Sequence, residues 1–209
     1  MTELLAGAAF RELFDRYEHT AFRLETRERY VDDEEQEPLR KFLAAEPADD
    51  TWFLDWVEDI EAATAAGKRI ERVRVVNEPF SDYTRFGLDL ARLNVSAGED
   101  IRYLPRPVAS DLALPDEDFW IFDSKTLAVL RFADDDRLQG VEVIDDPAQV
   151  LLRCQWRDAA WHYAIPGAPV VRESGMGDLR SGTVSYSHHR RGRSSFRRAG
   201  PPAALGRSP

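Results

Sequence analysis

The sequence predicts a mixed α/β fold, with a single domain over residues 2–168 and a disordered basic tail over residues 173–209. In the first half of the domain, segments with helical periodicity alternate with segments in which every second residue is apolar. In the last third, three short apolar segments follow one another and indicate an antiparallel β-meander before a final helix. The 209-residue chain contains 43% hydrophobic residues, enough for one sizeable core.

The first predicted unit is a helix over residues 3–18 followed by a strand over residues 20–30. Apolar side chains at i, i+3, i+4 and i+7 indicate the helix. In the strand, apolar and polar side chains alternate, so we expect one face in the core and the other in solvent. The expected solvent face consists of Arg23, Glu25, Arg27 and Arg29.

Strand–helix units continue through the middle of the chain. Pro38 suits the first turn of a short helix over residues 38–45. An apolar stripe that includes Trp52 and Trp56 predicts a longer helix over residues 51–66. The next predicted elements are a strand over residues 69–76, a helix capped by Ser81 or Asp82 that ends near Val95, and a strand over residues 101–104.

The meander is predicted to consist of strands over residues 119–122, 125–132 and 138–144. The acidic run at residues 134–136 predicts the second turn, because aspartate tolerates turn geometry. Pro147 then begins a helix that extends to about Tyr163.

Charge is distributed unevenly along the chain. The formal net charge is -10, from 28 basic and 38 acidic residues, whereas residues 173–209 hold seven arginines and two acidic residues. We expect no nucleic-acid binding except weakly through this tail, because the rest of the chain is strongly acidic. No apolar run approaches the roughly 20 residues of a membrane span, and no signal-peptide pattern is present, so we expect a soluble cytoplasmic protein without membrane contacts.

The sequence contains no phosphate-binding loop, dinucleotide-binding fingerprint or nucleophile elbow, and we predict neither a cofactor nor a metal. His19 and His162 each stand alone near the end of a predicted helix, without a partner at metal-ligand spacing. Cys154 is expected to be a small buried hydrophobe. We expect solvation of loop ends, more than cation binding, from the acidic residues Asp116, Glu117, Asp118 and Asp123.

Two arginines on one face of the strand over residues 69–76 indicate a candidate site. Such a face, if buried, needs acidic residues or an anionic ligand to accept the hydrogen bonds of Arg72 and Arg74. We therefore predict a cleft at neighbouring strand ends, formed by Arg72, Arg74, Glu78, Tyr83, Arg85, Glu99, Arg102 and Trp120. The alternative is an internal ion-pair network in which Arg72 and Arg74 bind Glu78 and Glu99 and stabilise the fold.

Five short segments together resemble a known family. They are RLET at residues 23–26, RVRVVNEP at 72–79, YTRF at 83–86, AGEDIR at 97–102 and DFWIFD at 118–123. The chain is similar over roughly residues 8–166 to an uncharacterised actinobacterial family of domains of unknown function. The resemblance implies a cytoplasmic protein, often encoded near helix-turn-helix regulators, and it implies no particular activity.

The absence of a catalytic constellation favours a non-catalytic regulatory or interaction domain. Its cleft would bind a protein partner, such as a transcriptional regulator, or a small anionic ligand. The alternative is a hydrolase or nucleotide-processing enzyme in which Glu78 or Glu99 is the general base and the arginines hold phosphate. A second alternative is nonspecific nucleic-acid binding through the tail.

Overall fold

The computed structural model describes residues 4–167, which form six α-helices and a seven-stranded mixed sheet. The helices are α1 (Ala8–Arg16), α2 (Gln36–Leu43), α3 (Leu54–Ala65), α4 (Asp82–Ser96), α5 (Arg106–Asp111) and α6 (Pro147–Tyr163). The strands are β1 (Thr20–Glu25), β2 (Arg69–Val76), β3 (Asp100–Pro105), β4 (Phe119–Phe122), β5 (Thr126–Phe132), β6 (Leu138–Ile144) and β7 (Ile165–Pro166).

The strand order is β6-β5-β4-β1-β2-β3-β7. Strands β1, β2 and β3 are parallel, and every other neighbouring pair is antiparallel. Parallel neighbours need crossover connections, and α2 with α3 provides the first while α4 provides the second. The predicted antiparallel meander is present as β4, β5 and β6.

Helices cover both faces of the sheet. Helices α5 and α6 pack on one face, where Phe22, Val73 and Phe119 meet Val150 and Cys154 in the larger apolar core. Helices α1, α3 and α4 lie on the other face, which we call the cleft face. There α1 and α3 contribute to one apolar cluster and α4 to a second.

The two apolar clusters of the cleft face are separate in the sheet. Ile70 and Trp120 belong to the cluster with α1 and α3, whereas Val76 and Tyr103 belong to the cluster with α4. Between them, the central strands β1 and β2 present charged side chains instead of apolar ones. The candidate site lies over these charged side chains, between the two apolar clusters.

The structure confirms the predicted fold class, including the meander and the C-terminal helix. The first helix is shorter than predicted and begins at Ala8, because Leu5 forms a β-bridge with Val141 and Gly7 has a positive φ of 53°. Helix α5 and strand β7 were not predicted, since six and two residues are too short to show a period.

The predicted solvent face of the first strand is wrong for Arg23 and Glu25. Only 4% of Glu25 is exposed, and the Arg23 side chain is 12% exposed. The reason is that a central strand with crossover helices on one side and α5 and α6 on the other has no wet face. Strand β1 also ends early, because the Thr26 amide donates to Oδ1 of Asp118 at 2.8 Å instead of continuing the ladder.

No helix within residues 4–167 combines the length and the apolar character that crossing a membrane would require. The predicted basic tail over residues 173–209 lies outside the described residues.

Candidate ligand-binding cleft

Four charged side chains form a square at the centre of the cleft face. In the parallel pairing of β1 with β2, Arg23 lies opposite Arg72, and Glu25 lies opposite Arg74. Residues two apart in a strand share a face, so all four side chains extend toward α3 and α4. The neighbouring strand β4 places Trp120 opposite Arg23, and β3 places Tyr103 opposite Arg74.

Carboxylates bind most of the arginine donors in this square. Nε and Nη2 of Arg72 donate to the two oxygens of Glu99 at 2.7 and 3.2 Å, and Nη1 donates to Glu25 at 3.1 Å. Nη1 of Arg74 donates to the other oxygen of Glu25 at 3.1 Å. Glu25 thus lies between two arginines of β2, while Nε of Arg23 lies 3.0 Å away.

Asp118 extends the network to the start of β4. Its Oδ2 accepts hydrogen bonds from Nη2 of Arg23 and from the Tyr30 hydroxyl, and its Oδ1 accepts from the amide and hydroxyl of Thr26. Only 1% of Asp118 is exposed. The network therefore contains three arginines and three carboxylates: Arg23, Arg72, Arg74, Glu25, Glu99 and Asp118.

The protonation behaviour of the acidic residues differs with their neighbours. Burial opposes ionisation of Glu25, but attraction by Arg72, Arg23 and Arg74 outweighs it and lowers the pKa to about 2. Glu35 has no arginine at hydrogen-bond distance among the described residues. Burial raises its pKa, although the hydroxyl of Tyr83 donates to Oε2 at 2.7 Å. Glu25 is thus ionised at neutral pH, whereas Glu35 accepts a proton more readily than an exposed glutamate.

At least three buried donors of the cleft face have no hydrogen-bond partner within the described residues, and Nε of Arg23, although 3.0 Å from Glu25, is among them. Two others lie at the cavities described below. One is Nη2 of Arg74, whose guanidinium lies 5.7 Å from the ring centre of Tyr30 and 5.6 Å from that of Tyr83. The other is Nε1 of Trp120. The carbonyl oxygen of Asn94, on α4, is likewise buried without a partner. Such groups are costly unless a water molecule or ligand binds them.

Two adjoining cavities lie over the network. The inner cavity has a volume of about 100 Å³ and is bounded by Arg74, Tyr83, Gly87 and Asn94, among others. The outer cavity has a volume of about 690 Å³ and opens toward solvent; aromatic side chains on its wall are Phe10, Phe14, Phe53, Trp56 and Trp120. The two share four lining residues, namely Glu25, Glu35, Phe53 and Arg72.

A family model matches the chain over residues 8–169, which includes every strand and helix described above, and its description is domain of unknown function DUF6879. The chain belongs to the DUF6879 family. No curated protein matches it. The membership agrees with the expected uncharacterised family and assigns no activity.

This DUF6879 domain brings five of the eight predicted site residues to the cleft face. Arg72 and Glu99 form the predicted ion pair, and the remaining three line the cavities: Arg74, Tyr83 and Trp120. The ion-pair alternative had predicted Glu78 and Glu99 as the partners of the two arginines. Arg74 instead pairs with Glu25, and Glu78 takes no part. Glu25 lies directly across the strand pair, whereas Glu78 is exposed two residues beyond the end of β2.

The other three predicted residues lie elsewhere. Glu78 follows the end of β2 and Glu99 precedes the start of β3, and in parallel strands these positions are at opposite edges of the sheet. Arg85 is exposed on α4, 3.6 Å from Asp82. Arg102 is opposite Val73 in register and therefore faces α6, where its guanidinium stacks 3.7 Å from the ring centre of Trp161.

Sequence reasoning missed most of the residues that line the cleft, and five polar ones among them are Arg23, Glu25, Tyr30, Glu35 and Asn94. A signal for two of them was present, because an Arg-x-Glu pattern on β1 matches the Arg-x-Arg pattern of β2 at the same two-residue spacing. Tyr30 and Glu35 lie on loops, where no periodicity indicates the direction of a side chain. Asn94 lies on α4 four residues after the buried Leu90, a spacing that indicates burial but not a site.

Proposed function

We propose that this DUF6879 domain is a non-catalytic regulatory module that binds a small anionic ligand in the cleft. The observation behind the proposal is Nη2 of Arg74, a buried donor at the wall of a cavity that has no partner within residues 4–167. An acceptor on a ligand would complete the hydrogen bonding of this guanidinium. The Arg74 side chain is 10% exposed, so its guanidinium would lose few hydrogen bonds to water when it binds a ligand.

The ion-pair network alone does not account for this arrangement. A network that serves only stability gains most when every buried donor is satisfied, because an unpaired one costs about 1–3 kcal/mol. Arg72 meets that condition, with three donor nitrogens bound to carboxylates. Arg74 does not, since one of its two terminal nitrogens faces neither Glu25 nor any other acceptor among the described residues.

The cleft connects elements that are distant in sequence. The outer cavity is lined by residues of α1, β1 and α3, and the inner cavity by residues of β2 and α4. A ligand that touches both would hold these elements together and alter the surface that they present. This coupling is the physical basis for the proposed regulatory role, in which a protein partner such as a transcriptional regulator recognises the liganded surface.

Native mass spectrometry of the full chain, incubated with a small-molecule extract of cells, tests the proposal. We expect a bound small anion that is lost in Arg74→Gln and kept in Arg85→Gln, the matched change at an exposed position of α4. Glu25 retains Arg72 and Arg23 in the first variant, so the fold should persist, and circular dichroism checks this. A bare chain, or an adduct unaffected by Arg74→Gln, would contradict the proposal.

An acid–base enzyme is the second candidate, and Glu35 is the observation that favours it. Glu35 lines both cavities, and its burial raises the pKa toward the range useful for general acid–base catalysis. Glu35 replaces Glu78 and Glu99 in this role, because neither of those residues lines either cavity. Turnover of phosphoesters or nucleotides, lost in Glu35→Gln and kept in the exposed control Glu34→Gln, would establish the enzyme; no turnover would refute it.

A further inference from the structure

We infer that the ligand of this cleft is an aromatic carboxylate, with its carboxylate against Arg74 in the inner cavity and its ring in the outer one. The inference rests on the proposed function, and it adds the chemical class of the ligand. Three features support it: a glycine on α4, the size and charge of the inner cavity, and the aromatic wall of the outer cavity.

Gly87 lies within α4, with its Cα hydrogens toward the guanidinium of Arg74. A Cβ at this position would lie 3.5 Å from Nη1 and 4.0 Å from Nη2 of Arg74, which is ordinary van der Waals contact. Alanine would therefore fit, and in a helix interior it is more stable than glycine. Folding alone does not require glycine here, whereas a ligand at Arg74 would use the space that the missing methyl leaves.

The inner cavity suits a compact head with a single negative charge. Its volume of about 100 Å³ admits a small polar head group but no large body. Its charged lining consists of two arginines and two glutamates: Arg72, Arg74, Glu25 and Glu35. Because one guanidinium nitrogen is free and two glutamates stand nearby, a dianion such as a phosphate monoester would be repelled more than a monoanion.

The outer cavity suits a planar apolar body. Its volume of about 690 Å³ lies within the range of sites for small organic ligands. Phe14, Trp56 and Trp120 pack edge to face, with ring centres 4.9 to 6.3 Å apart, and form a continuous aromatic wall. Nε1 of Trp120, which has no partner in the described part of the chain, offers a second contact to an acceptor or to the face of a ring.

The inner and outer cavities adjoin through shared lining residues, so a single molecule can occupy both. Glu25 and Arg72 contribute to the shared floor, and Glu35 and Phe53 also line both cavities. A short linker between ring and carboxylate would pass this boundary. An arylacetate, with one methylene group between the two parts, has this form.

Isothermal titration calorimetry of the full chain with four probes tests the inference: naphthylacetate, naphthyl phosphate, acetate and naphthol. We expect naphthylacetate to bind at least about tenfold more tightly than each of the others, because it alone supplies both the ring and a monoanionic head. Tighter or equal binding of naphthyl phosphate or acetate would overturn the aromatic carboxylate while leaving the proposed anion site in place.

The variant Gly87→Ala locates the head group without weakening the fold. We expect it to raise the melting temperature and to weaken naphthylacetate binding about tenfold or more, because the added methyl occupies the space beside Arg74. The control is Val95→Ala, which also raises helix propensity on α4 but at a position 51% exposed and outside both cavities. Unchanged binding in Gly87→Ala would overturn the placement of the carboxylate.

The two proposals fail separately. If naphthylacetate does not bind but an extracted anion depends on Arg74 in native mass spectrometry, the inference is wrong and the proposed function stands. If naphthylacetate does not bind and no anion depends on Arg74, both are wrong.

Discussion

Replacing Glu25 with glutamine should destabilise the domain by about 3 kcal/mol at neutral pH. Glu25 contacts Arg72 and Arg74 at 3.1 Å and lies 3.0 Å from Nε of Arg23, and its side chain is 5% exposed. In Glu25→Gln, three buried guanidinium groups would share two carboxylates, Glu99 and Asp118. The NH₂ group of the glutamine would also point at a guanidinium, and both of these groups are hydrogen-bond donors. Leaving a buried charge without compensation is the most costly way to break such a network.

The magnitude follows from the pKa of Glu25. Its pKa falls from 4.5 to about 2 on folding, and each pKa unit corresponds to about 1.4 kcal/mol of preference for the ionised form. The uncharged glutamine should therefore lower the free energy of unfolding by about 3 kcal/mol. This value is close to the roughly 3–5 kcal/mol that removal of one partner of a buried ion pair costs. Because domains of this kind have a stability of about 5–15 kcal/mol, the variant should remain folded at neutral pH.

Urea unfolding monitored by tryptophan fluorescence measures the loss, first at pH 7 and then at falling pH. The folded pKa of Glu25 is depressed, so its stabilisation is fully present above the unfolded pKa of about 4.5 and is lost as pH falls toward about 2. The difference in unfolding free energy between wild type and Glu25→Gln should therefore shrink over this range.

Glu71→Gln is the matched control. Glu71 lies on β2, and among the described residues its one salt bridge is to Arg69, at 3.8 Å, so we expect a change within about 0.5 kcal/mol. A loss below about 1 kcal/mol in Glu25→Gln, or a difference from wild type that is the same at pH 7 and near pH 2, would refute the account of Glu25 as the common partner of three arginines.

Two further predictions concern Asp123 and Glu35. Asp123 accepts hydrogen bonds from the amides of Glu18, His19 and Thr20 at 2.7–2.8 Å, so Asp123→Asn should cost about 1–3 kcal/mol in urea unfolding; an unchanged midpoint would contradict this. Glu35 faces the Tyr83 hydroxyl, Asp32, Arg74 and Glu25, and a bound anion favours its neutral form. The affinity for naphthylacetate should therefore fall by up to about tenfold per unit as pH rises through the raised pKa of Glu35, and Glu35→Gln should abolish this dependence in calorimetry.

The sequence was most informative where one period covered a whole element. Strand β2 and the meander strands alternate or are uniformly apolar between turn residues, and the structure confirms these strands to within one residue. The first helix was predicted to begin too early, because its periodicity continues before Ala8, where Leu5 instead pairs with Val141. Periodicity reports which residues share a face, but it does not report what covers that face.

The same limit explains the partial prediction of the site. Arg72 and Arg74 were identified because two charges alternate with valines in a strand that otherwise indicates burial. Arg102 was assigned to the same cleft because it lies near the end of a neighbouring strand, but its pairing with Val73 of β2 places it on the opposite face of the sheet. Register depends on pairing between strands, and a single sequence does not encode it locally.

The buried ion pairs also have a consequence for how the sheet assembles. The six charges of the network come from β1, β2, the residue before β3 and the residue before β4, so they join four strands. A shift of β1 by one residue against β2 would turn Arg23 and Glu25 into the apolar layer beneath α6 and bring Phe22 and Leu24 against the arginines of β2. A sheet with this shift would thus bury unmatched charge, so the network, in which Nη2 of Arg74 has no partner among residues 4–167, should also favour the native alignment of β1 with β2.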